Sequence, residues 1–156
     1  MHFSQVTTTM LALGAGLASA VDVRLYYSNN CSGNYLVCSG LGANVCCTGT
    51  SVSLYWVVNR SLDARGFAGG NCGELRSARR TSSSFCMPGT GVVYTGGRWV
   101  VPASLRVRDQ DVCAAAVGKC NAVQKPDTLV LADGSKFKIA DLDDAKVEKL
   151  PRRIDR

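Results

Sequence analysis

The sequence predicts a mainly β, disulfide-rich antiparallel fold with a small α/β extension at its C-terminal end. Three observations carry that expectation. Strand-like runs alternate with Gly, Asn and Ser turn clusters up to about residue 108, all eight cysteines fall between Cys31 and Cys120, and composition changes near Asp109. Short strands with frequent turn signals indicate an antiparallel sandwich or barrel. An even cysteine count in a short exported chain indicates a disulfide framework.

The N-terminus supplies the export signal. Met1–Thr9 is short and polar, an apolar run follows from Met10 to Leu17, and Ala18-Ser19-Ala20 forms a small-x-small cleavage pattern. The run is shorter than the ~20 apolar residues a membrane span needs. Gly14, Gly16 and Thr7–Thr9 disfavour a core helix there. The stretch before the apolar run has no Lys or Arg, which departs from the usual pattern. Residues 1–20 are therefore expected to be a signal peptide, and the mature protein is expected to be secreted, with no stable membrane insertion. The charged end Arg152-Arg153-Ile154-Asp155-Arg156 excludes a lipid-anchor tail or an ER-return signal.

Residues 21–108 read as a cysteine-rich cationic β-domain. Asp22–Tyr26 alternates polar and apolar residues. Ser51–Val58, Gly91–Tyr94 and Arg98–Val101 are rich in β-branched and aromatic residues. Turn clusters separate them at Ser39–Gly42, Gly69–Asn71, Pro88–Gly91 and Gly96-Gly97. Residues 109–156 read as an accessory tail. Cys113, Ala116, Val117 and Cys120 share one helix face, which Gly118 would end early. Thr128–Leu131 and Lys136–Ile139 flank an Asp133-Gly134 hairpin turn. Asp141 is expected to cap a short helix that ends before Pro151.

Charge follows the same division. Every basic residue from Val21 to Arg108 is arginine, nine against the acids Asp22, Asp63 and Glu74, so this part holds the whole surplus of +6. Nine bases and nine acids cancel in the tail, where lysine first appears. Arg60, Arg65, Arg76, Arg79 and Arg80 form a candidate cationic binding face, since guanidinium forks suit carboxylates, phosphates and sulfated glycans. The plainer alternative is a solvated surface that keeps the protein soluble. Arg79-Arg80 and Arg152-Arg153 also read as candidate dibasic processing sites. Asn59-Arg60-Ser61 is a candidate glycosylation acceptor, favoured over Asn30-Cys31-Ser32 because Cys31 is expected to be bridged.

His2, the sole histidine, would leave with the signal peptide. Without imidazole, Ser-His and Cys-His nucleophilic catalysis and histidine-ligated metal sites drop out. Asp63 and Glu74 could be imagined as a glycosidase pair, but each sits among arginines and reads more simply as an ion-pair partner. No catalytic residue, cofactor, metal or nucleic-acid partner is expected.

The segment Val23–Cys38 resembles the Greek-key opening of the βγ-crystallins. An aromatic at the strand end, Tyr26, is followed by Gly33 in a folded hairpin, and Ser51-Val52-Ser53-Leu54 matches the serine that begins the motif's later strand. Glycine suits the hairpin's backbone and the aromatic packs over it. Gly66–Cys72 and Ser83–Cys86 look like a looser second copy. The resemblance covers about residues 22–105 and implies a Greek-key sandwich. The layout is also similar to cysteine-rich small secreted proteins of fungi, some with crystallin-like or killer-toxin-like domains. Hydrophobins carry two adjacent Cys-Cys pairs, whereas this chain has only Cys46-Cys47. The family's calcium pattern needs Asn or Asp oxygens ahead of its Ser/Thr-Ser pair. Cys46 and Cys47, Ala78 and Arg79, or Arg79 and Arg80 stand there instead, so no calcium site is expected.

Four bridges are expected from Cys31, Cys38, Cys46, Cys47, Cys72, Cys86, Cys113 and Cys120. Cys46 and Cys47 should take different partners, Cys31 and Cys38 in one order or the other, while Cys72 with Cys86 would close the second motif. Cys113 with Cys120 is a local option that requires the helix to end at Gly118. Seven residues of continuous helix separate the two by about 10.5 Å, beyond the ~7 Å limit for a bridge. The functional expectation is an effector- or toxin-like protein that binds an extracellular target, such as an anionic glycan or cell surface. The alternative is a non-catalytic structural or wall-associated protein.

Overall fold

A computed structural model describes residues 21–105, 122–147 and 150. The expected signal peptide, the Cys113–Cys120 helix and its bridge lie outside them. Among the described residues, eleven strands form two sheets. They are β1 (Val21–Tyr26), β2 (Tyr35–Leu41), β3 (Cys46–Ser51), β4 (Ser53–Val57), β5 (Leu62–Ala68), β6 (Glu74–Thr81), β7 (Phe85–Pro88), β8 (Tyr94–Val100), β9 (Val123–Gln124), β10 (Thr128–Val130) and β11 (Lys136–Lys138). The first sheet runs β11-β10-β2-β1-β4-β7 and the second β6-β5-β8-β3-β9. Pairing is antiparallel except for β3 with β9. The expectation of a mainly β, antiparallel chain is met. The helical pieces among the described residues are a 3-10 turn at Ala103–Leu105, α1 (Asp144–Val147) and Leu150.

The core lies between the sheets, where alternation turns one side of each strand inward. Val23 and Leu25 of β1 and Leu54 and Trp56 of β4 meet Leu62 and Ala64 of β5 and Tyr94 and Trp99 of β8. The polar ends of two aromatics are satisfied inside. Trp99 Nε1 donates to the Leu41 carbonyl at 2.8 Å, and Tyr94 Oη lies 2.8 Å from Ser77 Oγ. Gly66 leaves room for the Tyr94 ring, because a Cβ there would sit 2.6 Å from it.

Several local expectations change for tertiary reasons. Gly96-Gly97 is not a turn but the middle of β8. A Cβ on Gly96 would meet the Cys47 carbonyl oxygen at 2.8 Å, and one on Gly97 would meet the Trp56 ring at 3.1 Å. Gly91–Tyr94 is not a strand, because a Val92–Gly89 backbone bond and positive φ at Gly91 make a turn that ends at Tyr94. Ser51–Val58 is split at Val52, where the chain crosses from the second sheet to the first. Ser39–Leu41 belongs to β2 rather than to a turn. The Asp133-Gly134 hairpin forms as expected between β10 and β11, with Gly134 at φ +87°. The helix that follows begins at Asp144 and is capped by Asp143, not Asp141: Asp143 Oδ1 accepts from the Lys146 amide at 2.9 Å.

Three bridges occur among the described cysteines: Cys31–Cys86, Cys38–Cys47 and Cys46–Cys72. Cys46 and Cys47 do take different partners, because neighbouring strand residues face opposite ways. Cys47 points inward and joins Cys38 across the core, and both are fully buried. Cys46 points outward, where the β5–β6 hairpin brings Cys72 to it instead of Cys31 or Cys38. Cys86, on β7 opposite Tyr55, takes Cys31 from the loop after β1 rather than Cys72.

The expected division at 108/109 is not a division in packing. β9 pairs with β3, β10 pairs with β2, and Leu129 and Ile139 enter the common core.

Candidate anion-binding face

The outer surface of the second sheet is the candidate site, and strand register assembles it. Leu62, Ala64 and Gly66 of β5 turn inward, so Asp63, Arg65 and Phe67 turn outward. One row across the sheet reads Arg80–Asp63–Val100, and the next reads Ala78–Arg65–Arg98–Cys46. Arg65 and Arg98 therefore stand directly opposite each other on neighbouring strands. Like charges in that position are unfavourable.

The five arginines singled out from sequence do not form one face. Arg80 Nε donates to Asp63 Oδ1 at 2.9 Å, and that carboxylate holds the guanidinium still more firmly protonated. Arg76 is ion-paired with Glu74. Arg79 turns to the other side of β6 and lies over the Phe85 ring at 4.6 Å. Arg60, exposed in the bend after β4, lies over Trp99 at 5.6 Å. Arg65 alone of the five has neither an acid nor a ring partner among the described residues. Beside it on β6 stands the small, exposed Ala78, and Arg98 covers Phe67 at 5.0 Å. Arg98 Nε is buried without a hydrogen-bond partner among the described groups. Arg98 was missed from sequence because nothing in the chain reveals that a residue 33 positions after Arg65 will be its cross-strand neighbour.

Asp63 and Glu74, the conceivable acid pair, each hold an arginine. Asn59 is exposed in the bend between β4 and β5. Asn30 accepts a hydrogen bond from Ser32 Oγ beside the bridged Cys31. Among the described residues no group of three metal-ligating side chains converges, and no helix is long and apolar enough to cross a membrane.

A family model for ARB_05566_N, an N-terminal domain, matches residues 22–127. The chain belongs to that family. The match ends before β10, although the core continues through β10 to Ile139. One relative is an uncharacterized secreted protein of Arthroderma benhamiae, 22% identical over 155 residues, which cover 90% of this chain and 78% of the relative. No solved structure matches the chain. This family member is secreted, and its three bridges suit the oxidising conditions outside the cell.

Proposed function

We propose that the protein is a non-catalytic, effector- or toxin-like binding domain that engages an anionic extracellular target through the outer face of its second sheet. The observation that carries this reading is the Arg65–Arg98 pair. Two partly exposed arginines are cross-strand neighbours with no acid paired to either among the described residues, beside the small Ala78. An incoming carboxylate, sulfate or phosphate would relieve that repulsion and take bidentate hydrogen bonds. A column of immobilised heparin tests it. The wild type should be retained at physiological salt and released as salt rises, because screening weakens exposed charge contacts. Arg65→Gln should elute clearly earlier, and earlier than the Arg76, Arg79, Arg80 triple alanine variant. Equal elution of Arg65→Gln and wild type would remove this face from the site.

A second reading, a structural or wall-associated protein, is favoured by the way the other arginines are used. Arg24, Arg60, Arg79 and Arg98 sit over rings, and Arg76 and Arg80 sit on acids, all within the fold. Failure of the wild type to bind any anionic polymer at low salt would select it. The crystallin-like reading of residues 23–54 is supported by the loop after β1. Gly33 has φ +81°, and Ser53 Oγ accepts from the Cys31 amide at 3.1 Å while donating to the Ser28 carbonyl at 2.6 Å.

A further inference from the structure

The outer face of the first sheet carries a second constellation, independent of the Arg65–Arg98 pair. Val23 and Leu25 of β1 turn inward, so Arg24 and Tyr26 turn outward. Register then builds two rows. One reads Lys138–Thr128–Val37–Arg24–Tyr55 and the other Lys136–Val130–Tyr35–Tyr26–Ser53. The Arg24 guanidinium lies 5.3 Å from the centroid of the Tyr35 ring and 5.5 Å from that of Tyr55, held between the two. Tyr26 packs against Tyr35 with centroids 4.6 Å apart. Arg24, Tyr35 and Tyr55 are all partly exposed. Among the described residues Arg24 has no acidic partner. The nearest acid on its own strand face, Asp22, accepts a hydrogen bond from the Gly40 amide at 2.8 Å.

We propose that this face binds an acidic polysaccharide whose sugar rings carry carboxylates. The partly exposed rings of Tyr35 and Tyr55 offer apolar surface to the C–H faces of a pyranose. The hydroxyls of the partly exposed Tyr35 and Tyr55 can donate to or accept from sugar hydroxyls, while that of Tyr26 is engaged by Arg24. A guanidinium already fixed by two rings presents its fork to a carboxylate with little further ordering to do. Lys138, three strands away in the same row, lies about 14 Å from Arg24 at ~4.8 Å per strand. That is longer than one sugar ring, so the face fits several linked residues with repeating negative charge and not a single sugar.

The probe is polygalacturonate, with its methyl ester as the control that keeps the same rings and removes the charge. Purified mature protein should bind polygalacturonate and bind the ester at least tenfold more weakly. Arg24→Lys keeps the charge but loses the planar fork, and it should weaken polygalacturonate binding about tenfold, as should Tyr55→Ala. Lys138→Glu changes an exposed side chain, so folding should be little affected, and it should also weaken binding. Leu142→Ala, at an exposed position in neither row, should leave this binding unchanged. The proposal is overturned if polygalacturonate does not bind, if the ester binds equally well, or if Lys138→Glu and a folded Arg24→Lys bind as the wild type does. Loss of binding in Arg65→Gln with none in Arg24→Lys would also overturn it.

Discussion

At the scale of single residues, the clearest feature is what the arginines do. Seven of the nine arginines between Val21 and Arg108 are described, and Arg24, Arg60, Arg79 and Arg98 each lie over an aromatic ring. Such contacts typically occur about once per 70–80 residues, so four stacked arginines in this part exceed the usual density. A planar guanidinium stacks on a ring better than a compact ammonium does. This gives a physical reason for the absence of lysine from the strands of this half. The bias was plain in the sequence, but its cause was not, because the rings that meet Arg79 and Arg98 come from other strands. Tyr27 is a second residue whose state the fold changes. Its side chain packs against the core, and burial pushes its phenol well above the ordinary value of 10.0. Burial raises Tyr26 as well, partly offset by its hydrogen bond with Arg24. A raised folded-state pKa means the unfolded chain gives up its proton first. Stability from the neutral phenols should thus be complete below about pH 10 and fall as pH rises beyond it. Melting temperatures measured from pH 8 to 11.5 should show that decline, and Tyr27→Phe should make it shallower. An unchanged slope in the variant would show that Tyr27 ionises alike in both states.

At the scale of elements, β6 is the open edge of the second sheet, paired only with β5. It is the longest strand, and one of its outward residues, Leu75, is 53% exposed. A long exposed edge invites pairing with another chain, and charged side chains are a common means of preventing it. Arg76, Arg79 and Arg80 lie on this edge, so much of the cluster seen in sequence reads as protection of the strand. Replacing all three by threonine should favour strand pairing and raise association, measured by light scattering across a concentration series. Melting of the monomer should shift little, since exposed ion pairs contribute about 0–1 kcal/mol each. A variant that stays monomeric at every concentration would refute the edge-protection role. The sequence made β1 and the β10–β11 hairpin legible because alternation and Asp-Gly turn chemistry are local signals. It misplaced Gly96-Gly97 because the demand for glycine comes from Cys47 and Trp56 on other strands. It mispaired Cys46 and Cys86 for a similar reason: which cysteine a strand presents outward depends on sheet register.

At the scale of the whole molecule, both sheets are finished by residues that follow the change in composition. β9 extends the second sheet beside β3, and β10 and β11 extend the first beside β2. The arginine-to-lysine switch marks a change of surface chemistry, and in the sequence it sets off residues 109–156 as an accessory tail. Its apolar residues say otherwise, since Leu129 is 4% exposed and Ile139 3%. Asp127 adds a polar tie: its carboxylate accepts from the amide and hydroxyl of Ser39 at 2.7 and 2.9 Å. Removing the buried side chain in Leu129→Ala should therefore cost about 2–5 kcal/mol, through lost transfer energy and the cavity left behind. Leu142→Ala, on an exposed position of the same tail, should stay within about 0.5 kcal/mol. A chain ending at residue 122 would lose β9, β10 and β11 together and uncover Leu36 of β2, so it should no longer unfold cooperatively. Denaturant melts of the three proteins decide the matter. If the truncated chain keeps a sharp transition and Leu129→Ala melts with the wild type, residues 21–108 form a self-sufficient unit and the tail is an accessory to it.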